Sequence, residues 1–110
     1  MSKHVMVDIE TLDDGLINSA ILSIAAVEFN IDTGYVKKNQ FVRNVSLNDN
    51  IKQGLTINSD TILWWLADEH KTSLFREYLK NNTDTIEQSL RDFQQWIYDN
   101  DLRNALFWAN

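Results

Sequence analysis

The five residues Val5 to Ile9 restrict what this chain can build more than any others. Val5, Val7 and Ile9 are β-branched, and no turn residue interrupts them, so the segment reads as a strand. Into it are set two carboxylates, Asp8 and Glu10, spaced i and i+2. On a strand this spacing points both to one face, roughly 7 Å apart along the chain. Two acids side by side on a central strand repel each other and lose hydration unless a cation sits between them. The next residues, Thr11 to Gly15 (Thr-Leu-Asp-Asp-Gly), read as a turn. The pair therefore lies at the strand's carboxyl end, where sheets carrying helices place their chemistry. A strand fraying into an acidic loop, with both side chains in water, accounts for the residue types equally well.

Two further strands extend the sheet. Ala20 to Phe29 is a nearly continuous apolar run, as expected of a strand covered on both faces, with Ala25 and Ala26 small enough for close core packing. Asn30 to Gly34 is a hairpin connection. Tyr35 to Ser46 is a more polar third strand, and Lys37 and Lys38 suit a sheet edge. Three strands joined by short turns make an antiparallel meander.

Leu47 to Gly54 reads as a loop or a short helical turn. Asn58, Ser59 and Asp60 offer caps for a helix from Thr61 to Glu69, striped by Ile62, Trp65 and Leu66 with Trp64 off the stripe. A second helix, Thr72 to Lys80, carries Leu74, Phe75, Tyr78 and Leu79 and stops at Asn81-Asn82. Thr83 or Asp84 caps the longest helix, Thr85 to Asn100, whose Ile86, Leu90, Phe93, Trp96 and Ile97 recur at helical spacing. Ala105 opens a last strand, expected parallel to the first and beside it after a helical crossover. The expectation is a mixed-sheet α/β fold. Asn110 would then fall near Asp8 and Glu10, and residues 1–110 would be the N-terminal part of a single domain, apparently incomplete.

Composition narrows the setting. A chain of 110 residues forms one domain at most. It has no cysteine, so disulfides and thiolate metal sites are excluded. No apolar run reaches membrane-spanning length and no signal-peptide pattern opens the chain, so a cytoplasmic protein is expected. The net charge of −6 argues against broad attraction to a nucleic-acid backbone. Metal ions in an acidic site can nevertheless supply that attraction locally.

Taken together, Met6 to Thr11 (MVDIET), Ala20 to Gly34 (AILSIAAVEFNIDTG) and Asp60 to Leu66 (DTILWWL) are more specific than any one part. In this combination the chain resembles the DEDD superfamily of 3′–5′ exonucleases, and within it the phage and prophage branch that includes relatives of exonuclease VIII. The resemblance spans essentially all 110 residues. It implies a ribonuclease H-like fold, with Asp8 and Glu10 as the first acidic motif, catalytic and binding Mg²⁺ or Mn²⁺ at a two-metal site. It also implies that Thr11 lies close to the terminal nucleotide of a single strand's 3′ end. The family's second-motif Asp, its last Asp and a His or Tyr base would follow Asn110.

Hydrolysis of a phosphodiester calls for activated water and a stabilised leaving oxygen, which hard cations held by oxygen ligands can supply. Two carboxylates alone should hold Mg²⁺ weakly, because the ion wants about six ligands. Other residues have plainer readings. His4 shares the parity of the acids but reads as a surface residue, His70 as solvated, and Asp13 and Asp14 as turn residues. Trp65 suits core packing better than base stacking; Trp64 is the better surface aromatic for a nucleobase. Trp96 and Trp108 read as core. Lys37, Lys38 and Arg43 fit phosphate contact or a solvated edge strand equally. Besides an exonuclease, two alternatives stand: a non-catalytic interaction module with a decayed site, and a ribonuclease H-type endonuclease. An apolar last strand with an uncovered edge leads us to expect a homo-oligomer.

Overall fold

A computed structural model describes residues 2–14, 17–80 and 84–109. Four strands form one mixed sheet: β1 (His4–Thr11), β2 (Ile21–Phe29), β3 (Val36–Asn44) and β4 (Leu106–Ala109). Their order is β3-β2-β1-β4. β1 to β3 are an antiparallel meander, and β4 runs parallel to β1 with His4 opposite Leu106 and Val7 opposite Ala109. The strand carrying the acids is therefore interior, paired on both sides, as the sequence requires. At the β2–β3 turn Gly34 takes φ of 74°, a backbone conformation that disfavours any side chain, and its amide donates to the Asn30 carbonyl.

Four helices lie between β3 and β4: α1 (Leu47–Lys52), α2 (Ser59–Trp65), α3 (Glu69–Lys80) and α4 (Ile86–Asp99). Asn58 caps α2, its side-chain oxygen accepting from the Asp60 and Thr61 amides. α3 begins at Glu69, three residues earlier than the apolar stripe suggests, because the Asp68 carboxylate accepts from the Lys71 amide and closes its first turn. Thr85 caps α4, its hydroxyl accepting from the Gln88 amide; this is not the role of Asp84, while Thr83, like Asn81, Asn82, Gly15 and Asn110, lies outside the described residues. Asp49 reinforces that end by accepting from the Ile86 amide at 2.9 Å. None of the described helices is long and apolar enough to cross a membrane.

Two cores result. In the first, α4 covers one sheet face, with Val5, Ile24, Ala26, Phe41 and Val45 against Trp96, Phe93 and Ile97. Phe41 and Phe93 stack at 5.1 Å. In the second, α2 and α3 close over Leu12, Ala20 and Leu22 through Trp65, Phe75, Ile62, Tyr78 and Leu79. Each fully buried large apolar side chain contributes about 1.5–3 kcal/mol. The stripes are narrower than their spacing suggests, since Leu66, Leu74 and Leu90 stay exposed. On α4 Ser89 is fully buried while its neighbour Leu90 is exposed.

Candidate active site

Regular alternation holds along β1 from His4 to Glu10, where Asp8 pairs with Ala25 and Glu10 with Ser23 on β2. Both carboxylates thus share a face, and they lie close enough to hydrogen-bond to one another. The register shifts between Glu10 and Thr11, a bulge that ends the alternation just past the pair. Burial first, then the negative charge of Asp8 and the hydrogen bond to it, push the Glu10 carboxyl above its ordinary pKa of 4.5. The Glu10 carboxyl therefore holds its proton more tightly than a lone carboxylate does. A cation answers the same need. Two adjacent carboxylates are the hard oxygen donors that Mg²⁺ and Mn²⁺ take, so the residues present fit such an ion. They supply two of its roughly six ligands. Among the described residues no group of three or more such side chains forms a fuller cage.

The loop after β1 is fastened to the helix beside it in space. The Leu12 amide donates to the Ala20 carbonyl, and the Asn58 amide donates to the Leu12 carbonyl. Asn58 also caps α2, so one residue joins the end of β1 to the start of the two-tryptophan helix. Thr11 is half-buried and its hydroxyl donates to the Asp13 carbonyl at 3.0 Å, which fixes it in the turn. Asp13 serves the turn as well, accepting from the Thr56 hydroxyl.

The tryptophans divide. Trp65 is 4% exposed, stacked on Phe75 at 5.7 Å and edge-on to Tyr78, so its faces are spent on packing and not on a nucleobase. Trp64 is 53% exposed and edge-on to Trp65, with the Lys71 ammonium 4.1 Å from its ring centre. That leaves it an accessible indole beside a cation.

Two sequence expectations need correction, for His4 and Trp108. His4 is buried rather than on the surface: it lies beside Phe29, and its Nδ1 accepts from the Trp108 indole at 3.2 Å. Trp108 itself is 44% exposed, because β4 is an edge strand whose four residues all remain accessible. The basic residues Lys37 and Arg43 of β3 already have partners. Lys37 pairs with Glu28 at 3.1 Å, and Arg43 with Asp92 at 3.2 Å and Asp84 at 4.0 Å. His70 is exposed, as expected.

Sequence reasoning missed Tyr78 as a neighbour of the acids. It reads as one more stripe residue on α3, and nothing local links it to a strand 68 positions earlier. In the structure burial first, then the charges of Glu10 and Asp8, raise the pKa of its phenol, so both carboxylates lie within its electrostatic reach.

The four-stranded mixed sheet with its helices is similar to exonuclease folds. The crystal structure of cell-death related nuclease 4 (CRN-4) matches with a TM-score of 0.62 at 16% identity, over 98% of this chain and 34% of that one. A full-length 3′-exonuclease matches with a TM-score of 0.56 at 14% identity, over 98% of this chain and 44% of that one. The chain thus spans less than half the length of either, and at such identities the likeness is one of fold. No curated protein sequence matches it. Residues 3–110 match the Rv2179c-like family, described as the 3′-5′ exoribonuclease Rv2179c-like domain. The chain belongs to this DEDD-type exonuclease family.

Proposed function

We propose that the chain is the acid-bearing part of a metal-dependent 3′–5′ exonuclease acting on the 3′ end of a single strand. The observation that carries this is that Asp8 and Glu10 share one face at the carboxyl end of an interior strand. When bound there, Mg²⁺ or Mn²⁺ supplies positive charge against the scissile phosphate and acidifies water. Asp8 and Glu10 hold and orient the cation. The register shift at Thr11 ends the alternation just past them, and the terminal nucleotide would lie beside Thr11. Trp64, exposed and flanked by Lys71, offers a stacking face for a base and a charge for its phosphate. The finer assignment, to the phage and prophage branch, rests on the sequence motifs. We also read the uncovered β4 edge as a surface for self-association.

The test uses RNA and DNA single strands labelled at the 5′ end, with Mn²⁺. The expected result is a ladder shortening from the 3′ end, lost at least a hundredfold in Asp8→Asn and in Glu10→Gln. Internal cleavage would favour a ribonuclease H-type endonuclease. Hydrolysis that ignores both substitutions would remove the acid pair from the mechanism. Manganese binding followed by electron paramagnetic resonance gives a readout independent of turnover: it should disappear in Asp8→Asn.

A further inference from the structure

We propose that His4 and Trp108 form a pH-sensitive latch that holds the edge strand β4 against β1: neutral imidazole keeps the strand down, and imidazolium lets it go.

β4 has little else to hold it. Its four residues are all exposed and pair on one side, from Leu106 opposite His4 to Ala109 opposite Val7. A side-chain bond adds to that ladder: the Trp108 indole N–H donates to His4 Nδ1 at 3.2 Å. An indole nitrogen can only donate, so Nδ1 is bare and the ring proton sits on Nε2. A proton taken up from water at Nδ1 occupies the lone pair that the indole uses. Two N–H donors then face each other, and the bond is lost.

The new charge has poor surroundings. His4 is 8% exposed, with the Phe29 ring 5.7 Å and the Trp108 ring 6.2 Å from its own. Neither Phe29 nor any residue of β4 is charged. A cavity of about 450 Å³ beside His4 brings water and the side chains of Lys3, Glu28, Asp32, Tyr35 and Lys37. Glu28 is taken by Lys37 at 3.1 Å, and the Lys3 ammonium faces Asp101 at 3.9 Å. On the same face of β1, Asp8 stands beyond Met6. Among the described residues no carboxylate pairs with His4. Charging the imidazole therefore removes the bond with no ion pair in return, and a strand with one neighbour gives way first.

The test follows the ¹⁵N-labelled chain by NMR between about pH 8 and 5.5, the range in which histidine changes charge. The chain has two histidines, and His70, exposed on α3, is the internal control. The Trp108 indole signal is the one missing from Trp108→Phe, and the His4 ring signal the one missing from His4→Asn. As the pH falls, the indole proton should shift in step with the His4 ring and exchange faster. Protection of the β4 amides, corrected for the pH dependence of free amides, should fall about tenfold while that of β2 stays level. His4→Asn, whose amide oxygen accepts without titrating, should keep β4 equally protected throughout. An indole signal and β4 protection that stay constant over the range overturn the inference. So does a fall that follows His70, that β2 shares equally, or that survives His4→Asn undiminished. The titration of the unsubstituted chain decides the matter even if His4→Asn folds poorly.

Discussion

At Glu10 the fold accepts an electrostatic cost. The ordinary carboxyl pKa of 4.5 is raised in the folded chain, so the folded state binds the proton more tightly than the unfolded one. Below about pH 4.5 both states are protonated and the residue is neutral with respect to stability. As pH rises from there through the raised value, the folded state loses stability, and the full cost is present above it. Glu10→Gln should therefore melt higher than the parent at pH 7 in EDTA, and less so near pH 4; thermal scans across this range check it. Identical pH profiles would mean that the pair carries no such cost. A second expectation concerns Asn50, fully buried, whose side chain accepts from the Ile21 amide and donates to the Ile21 and Ser46 carbonyls. Asn50→Ala leaves the Ile21 groups unpaired and should cost about 2–3 kcal/mol in urea unfolding. Asp8 and Glu10 were legible in the sequence because strand parity is a local rule. His4 was not, since its burial depends on Phe29 and on Trp108 from the far end of the chain, and Tyr78 needed α3 to close over β2.

Every element but α1, whose residues read as a loop or a short helical turn, announced itself by type, since periodicities of 2 and 3.6 survive in short windows, whereas ends depend on caps. Thr85 shows the difference: Thr83, Asp84 and Thr85 are all acceptable caps by residue type, and the chosen one is the residue whose hydroxyl meets the Gln88 amide. Thr85→Ala should cost about 1 kcal/mol and loosen the first turn of α4, visible as faster amide exchange at Gln88. β4 presents the other limit. It has four residues, one strand partner and the Trp108–His4 bond. Its amides should exchange well before those of β2, which is paired on both sides. Equal protection would show β4 to be as integral as the meander.

Seen whole, the sheet has two dissimilar edges. β3 carries Lys37, Lys38 and Arg43, which discourage pairing with another chain. β4 reads Leu-Phe-Trp-Ala, uncharged and exposed throughout. Self-association through β4 should appear in sedimentation as a concentration-dependent rise in mass, slowed by the net charge of −6. Leu106→Lys should abolish it, and a strictly monomeric parent would refute it. The layout of the sheet was legible because a meander followed by a helical crossover leaves few topologies. The exposure of Phe107 and Trp108 was not legible as core or surface, since that depends on what lies over an edge.

The pairing of β1 with β4 also orders events during synthesis. β2 and β3 can join β1 early, but its other edge waits for residues 106–109. At about 5–20 residues per second, the roughly 100 intervening residues take on the order of ten seconds. Throughout that interval an apolar strand stands open on one side, the condition under which nascent chains stick together. Asp8 and Glu10 sit on that strand, and like charges facing each other across two copies resist their alignment. Two such charges just beyond the segment that β4 pairs would therefore oppose its joining another copy before β4 arrives.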